Sequence, residues 1–287
     1  MAQLHSNPPF RAEHLGSLLR TEELLKVKIA FEKGQASAAE LKAVEDRDIK
    51  DIVETQKKLG YPALSDGEYC RHTYQEELQI LYDAGCRNVQ FDDPNLAYFC
   101  SEKMLEGWKT DLLNTATADE TFEKYIKQYN ELLSKRPADF HVGVHICRGN
   151  FVGSRHFSEG GYDRIATKLF KELNVDTYYL EYDTPRAGGF EPLKELPRHK
   201  NVILGVVTSK FPELEDKEEM KKRVYEAAKF IAEGNNISVE EALKQVGVSP
   251  QCGFASHREG NAIDWDGMIN KLKLVREIAN DIWPGEL

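Results

Sequence analysis

Phe140-His-Val-Gly-Val-His-Ile-Cys147 is a short, largely apolar run that ends on an imidazole and a thiol. Such a run, bounded by polar residues and rich in β-branched side chains, reads as a buried strand. The same reading places strands at Phe10–His14, Pro62–Ser65, Val89–Phe91, Phe140–His145, Thr177–Leu180, Val202–Val207 and Val246–Ser249. Helical segments fill the intervals. Ser37-Ala-Ala-Glu40 is a capping box, in which the hydroxyl and the carboxylate satisfy each other's free backbone donors. It opens a helix with Leu41, Val44, Ile49, Ile52, Val53 and Leu59 on its apolar stripe, stopped by Gly60. Thr117-Ala-Asp-Glu120 and Ser238-Val-Glu-Glu241 repeat the signature.

Strands alternating with helices are the pattern of a parallel sheet built from βα units. Several predicted strands also end in reactive side chains. Ser65-Asp-Gly-Glu68 follows the second, Asp92-Asp93 the third, His145-Ile-Cys147 the fourth and Glu181-Tyr-Asp183 the fifth, while Cys252-Gly253 follows the last. A (β/α) barrel builds its site at the carboxyl ends of successive strands. An open doubly wound sheet gathers such groups less completely, so the barrel is favoured.

The composition agrees. With 287 residues, 41% hydrophobic and 10% aromatic, the chain can bury a large core and is not disordered. A formal charge of −10 argues against nucleic acid or an anionic membrane as the main partner. There is no run of 18 apolar residues, and residues 1–9 lack the apolar core of a signal peptide. The five cysteines are sparse and odd in number, as expected of thiols in a reducing cytoplasm. No linker or repeat interrupts the chain, so residues 1–287 read as one domain.

In an extended segment side chains two apart share a face, so His145 and Cys147 project together. With Glu181 and Cys252 at two other strand ends they form a four-ligand set suited to Zn2+. Asp66, Glu68, Asp92 and Asp93 form an acidic cluster. It could hold a substrate ammonium, or it could cap helices and loops. Cys70, Cys86 and Cys100 lack metal spacing and read as core. Gly160-Gly161 and Gly188-Gly189 are loop glycines with a weak anion-cradle signal, and Glu213–Lys222 reads as a solvated helix face.

At these residues the sequence resembles the catalytic domain of cobalamin-independent methionine synthases, above all the short single-domain members. The matching stretches are Phe10-Arg-Ala-Glu-His-Leu-Gly-Ser-Leu18, Ser65-Asp-Gly-Glu68, Gly85-Cys-Arg-Asn-Val-Gln-Phe-Asp92, His145-Ile-Cys147, Tyr179-Leu-Glu-Tyr-Asp183, Leu204-Gly-Val-Val207 and Ser249-Pro-Gln-Cys-Gly-Phe254. The resemblance implies a TIM-type (β/α)8 barrel and a zinc-dependent methyltransferase. It would move a methyl group from a methyltetrahydrofolate-type donor to homocysteine, giving methionine. It maps zinc ligands onto His145, Cys147, Glu181 and Cys252. It maps the amino-acid pocket onto Gly16 and Ser17 for the carboxylate, with Glu68 and Asp92 for the ammonium.

Two departures stand out. Full-length members carry an Asp–His pair after the seventh strand, where this chain has Thr208-Ser209-Lys210, so no proton donor carries over. About one βα unit is also missing between residues 74 and 75, which leaves seven predicted strands and unpaired edges compatible with a homo-oligomer. Two alternatives follow. One is another zinc-dependent thiol alkyl transfer, of the epoxyalkane–coenzyme M type. The other is a non-catalytic zinc-binding remnant.

Overall fold

The computed structural model describes residues 18–61, 74–151, 153, 155–256 and 260–286. Its centre is a five-stranded parallel sheet made of β1 (Asn88–Asp92), β2 (His141–Ile146), β3 (Thr177–Glu181), β4 (Asn201–Val207) and β5 (Val246–Pro250). The strands lie in chain order, β1-β2-β3-β4-β5. Each matches a predicted strand to within one or two residues. The two other predicted strands, Phe10–His14 and Pro62–Ser65, lie outside the described residues, as do Gly16, Ser17, Asp66, Glu68 and Cys70.

Helices α1 (Glu22–Glu32), α2 (Ala38–Lys58) and α3 (Tyr74–Asp83) precede the sheet. Then α4 (Asn95–Tyr98), α5 (Glu102–Thr110) and α6 (Ala118–Leu133) follow β1, and α7 (Ala166–Glu172) follows β2. After β4 come α8 (Lys217–Asn235) and α9 (Val239–Leu243), and α10 (Trp265–Ile282) closes the chain. Sequential parallel strands joined by outer helices make an α/β fold of the TIM-type barrel, incomplete among the described residues. None of the described helices is long and apolar enough to cross a membrane.

The caps act where the sequence places them. Ser37 and Thr117 form complete capping boxes with Glu40 and Glu120. Ser238 differs: it accepts from the Glu241 N–H and opens only a five-residue helix. The helix expected from Glu213 begins later, at Lys217, because Asp216 caps α8; Glu213 is exposed, whereas Glu215 pairs with the buried Lys271 of α10.

The two faces of the sheet do different work. Val142, Val144, Leu180, Val202, Leu204 and Val248 point outward into the layer between sheet and helices, the main apolar core. Each such side chain, fully buried, stabilises the fold by about 1.5–3 kcal/mol. Tyr179 and Ile203 form a separate small cluster on the opposite face, which also carries His145 and Glu181. Strands β2 to β5 are buried throughout, whereas β1 is half-exposed and among the described residues pairs only with β2. At the amino ends of the strands, Arg136 grips both oxygens of Asp176, whose carboxylate also accepts the Val142 N–H. Burial opposes the Asp176 charge, but these donors outweigh it and hold the carboxyl below its ordinary range.

The paired loop glycines do not form an anion cradle. A Cβ on Gly188, where φ is +75°, would lie 2.6 Å from the Gly161 Cα. A Cβ on Gly160 would overlap the Cys100 carbonyl oxygen, a main-chain atom. These glycines let three loops pack backbone to backbone, a use with the same sequence signature as a phosphate loop.

Candidate metal centre

The carboxyl ends of the strands converge. Asp92 pairs in register with His145, and Ile146 with Leu180, which sets Cys147 beside Glu181 one residue further on. Cys252 comes in from the loop after β5, where the Gln251 N–H donates to the Val207 carbonyl. One donor atom from each of His145, Cys147, Glu181 and Cys252 lies within 4.8 Å of all the others, and all four residues are buried. Sequence spacing brought these four together, and the fold does too.

The two sulfurs stand 3.6 Å apart, too far for a disulfide. Two sulfurs bound to one tetrahedral ion at ~2.3 Å lie roughly 3.8 Å apart, so the spacing fits a shared cation. The His145 Nε2 is 3.8 Å from the Glu181 Oε1. Two thiols, an imidazole and a carboxylate form a soft, nitrogen- and sulfur-rich donor set, the kind that a thiophilic divalent cation takes.

The groups around the set orient it. The Asp92 carboxylate lies 2.9 Å from the His145 Nδ1, which holds the ring and aims Nε2 into the cluster. The Glu181 Oε1 accepts the Arg148 N–H at 2.9 Å, and its Oε2 accepts from Arg186 at 2.6 Å. The Asn150 amide donates to the Gly253 carbonyl and to the Ser256 hydroxyl, tying the loop after β2 to the loop after β5.

Electrostatics report crowding by acidic groups. Burial opposes a charge on His145, yet Asp92, Cys252 and Glu181 outweigh it and raise the imidazole to about 10. The contact with Cys252, then burial, pushes the Cys147 thiol well above its ordinary value. Burial likewise raises Glu181, against the pull of His145 and Arg186. Donors of these types take up a divalent cation with loss of their protons to solvent, so the cluster is a candidate metal site by chemistry as well as by geometry. Alanine at Asp92 is expected to weaken metal binding about 10- to 100-fold, read by competition with a chromophoric chelator. Unchanged affinity would show that the ring needs no such anchor.

Asp93 does structural work: its Oδ1 accepts the Asn95 N–H and its Oδ2 the Tyr129 hydroxyl. Sequence reading missed Arg186, Gln251 and Ser209. The Gln251 carbonyl lies 3.1 Å from the His145 Nε2, and its side chain bonds to both the N–H and the hydroxyl of Ser209. Only the position of Gln251 beside Cys252 hinted at it. Arg186 sits in a short 3-10 turn, Pro185–Ala187, and nothing in sequence links it to Glu181 beyond a separation of five.

The family model for the cobalamin-independent synthase catalytic domain matches residues 72–281. The chain belongs to that family. The uncharacterized proteins YxjG and YxjH of Bacillus subtilis are 32% and 29% identical to it, each over 96% of this chain and 95% of the relative. The YxjG alignment runs over 374 residues against a chain of 287, so a long internal stretch of the relative has no counterpart here. That agrees with a missing βα unit. A solved putative vitamin-B12 independent methionine synthase from Listeria monocytogenes superposes with a TM-score of 0.74 at 26% identity, covering 96% of this chain and 98% of that one. A B12-independent methionine synthase from Shewanella sp. W3-18-1, solved with selenomethionine, gives 0.61 at 15% identity, covering 96% and 94%, and supports the fold alone.

Proposed function

We propose that this protein is a zinc-dependent S-methyltransferase. It would transfer a methyl group from a methyltetrahydrofolate-type donor to the thiol of homocysteine, giving methionine. The observation that carries the reading is the convergence of His145, Cys147, Glu181 and Cys252 within 4.8 Å at the strand ends of a fold in the synthase family.

Those four residues would hold Zn2+, which when bound keeps the acceptor sulfur deprotonated at neutral pH, where a free thiol is a poor nucleophile. The protein's own groups do the rest. Asp92 fixes the His145 ring, and burial of all four donors excludes competing water. Glu181 is the donor with alternatives, since Arg186 and the Arg148 N–H already engage both its oxygens, and it is best placed to yield when a sulfur arrives. Among the described residues neither sulfur accepts from an arginine, so both would stay. The amino-acid part of the acceptor would meet Gly16, Ser17, Glu68 and Asp92. Thiols at Cys86, Cys100, Cys147 and Cys252 that form no disulfide support a cytoplasmic setting.

Titrating zinc-loaded protein with homocysteine while recording zinc-edge X-ray absorption tests the reading. One further zinc–sulfur contact is expected beside the two cysteines. An unchanged sulfur count would point to another thiol or to a non-catalytic zinc protein, and failure to bind zinc would remove the site.

A further inference from the structure

Three described lysines are almost wholly buried: Lys200, Lys210 and Lys271. Lys271 is paired with both oxygens of Glu215. Lys200 donates to the carbonyls of Leu173 and Val175 at the amino end of the sheet, away from the metal donors. Lys210 is different. It is 2% exposed, forms no ion pair among the described residues, and has one long hydrogen bond, from Nζ to the Gly149 carbonyl at 3.5 Å.

That bond has a topological consequence. Lys210 follows β4 and Gly149 follows β2, and β3 lies between those strands. The lysine therefore reaches across the carboxyl end of β3, the strand that ends in Glu181. The groups that act electrostatically on its amine are Arg186, Glu181, Asp183 and Cys252, two of them in the metal set. Burial, then Arg186, lowers the amine from its ordinary value, while Glu181, Asp183 and Cys252 oppose the change. A buried, unpaired ammonium costs stability, and a fold that retains one at its site calls for a reason.

We propose that Lys210 is the proton donor to the nitrogen that leaves when the methyl group is transferred. The inference rests on the methyl-transfer reading with an N-methyl donor. In the step, the acceptor thiolate forms the S–C bond and the C–N bond breaks with its electron pair on nitrogen. That nitrogen takes a proton from the Lys210 Nζ, and the neutral amine regains one from water. No oxidant or reductant is needed.

The test compares two methyl donors on the zinc-loaded protein with homocysteine: methyltetrahydrofolate, whose nitrogen must be protonated, and iodomethane, whose iodide leaves without a proton. Lys210→Met is expected to slow transfer from methyltetrahydrofolate about 10²- to 10⁴-fold while leaving alkylation by iodomethane within about twofold. It should also abolish the fall in rate at alkaline pH that deprotonation of the donor imposes. Lys210→Arg keeps the charge but cannot release a proton near neutral pH, so it should not rescue. Zinc content and the sulfur count at the zinc edge should be unchanged in both variants.

Equal slowing with both donors, loss of zinc, or full activity of Lys210→Met would overturn the assignment. If the wild type alkylates homocysteine with iodomethane but never uses methyltetrahydrofolate, the donor reading fails, and the assignment fails with it.

Discussion

Alanine at Cys147 or Cys252 is expected to abolish tight zinc binding, with at least about a 10³-fold loss of affinity for each. A structural zinc site is worth about 10–16 kcal/mol, and even an orienting neighbour is worth 10- to 100-fold, so removing a direct soft ligand costs more. The two sulfurs come from loops after different strands and meet only in the folded protein, 3.6 Å apart. Removing Cys252 also relieves the crowding that raises the Cys147 thiol, and in both variants the apoprotein should remain folded with its circular dichroism unchanged. Metal content by mass spectrometry after dialysis at micromolar zinc reads the effect directly. Full retention in both variants would place the metal elsewhere.

Gly205→Ala is the second large effect, and it acts on the same centre through the backbone. Gly205 lies opposite Glu181 on one side and Ser249 on the other. A Cβ there would stand 2.6 Å from the Gln251 Cα and 3.0 Å from the Leu180 carbonyl oxygen. Both are main-chain atoms, so no side-chain rotation relieves the clash. The strand-end segment of Gln251 and Cys252 has to move, and with it one sulfur and the carbonyl beside the His145 Nε2. Overpacking of this kind costs about 1–3 kcal/mol. The expected result is a lower urea midpoint together with zinc affinity reduced by at least about tenfold. Lower stability with zinc affinity intact would show that the loop after β5 adjusts without carrying Cys252 away.

Much of this centre is legible in sequence because strand geometry is local. His145 and Cys147 are two apart in an extended run, so their common face follows from the pleat alone. Glu181 and Cys252 stand just past apolar runs, where a parallel sheet presents reactive groups. Arg186, Gln251 and Lys210 were not legible in that way. Arg186 finds Glu181 only because a 3-10 turn folds back after β3. Gln251 matters chiefly through its carbonyl, which every residue has. In sequence Asp92 reads as a holder of a substrate ammonium or as a cap for a helix or loop, and only the register of β1 on β2 puts it on the His145 ring. Glycine pairs suggest anion loops and loop crossings alike, and packing alone shows that Gly161 and Gly188 make a crossing.

By itself, the sequence determined the element types and the parallel βα architecture, singled out the four candidate donors and, through the resemblance of motifs along nearly the whole chain, pointed to the family. All but the last depend on periodicity, capping chemistry or residue type within a short window. Tertiary structure decided what the donors do to one another: the 3.6 Å sulfur spacing, the rise of the His145, Cys147 and Glu181 proton affinities, and the reach of Lys210 over the end of β3. Those are properties of distance and burial between segments far apart in the chain, and Coulombic and desolvation energies depend on such distances rather than on order along the backbone.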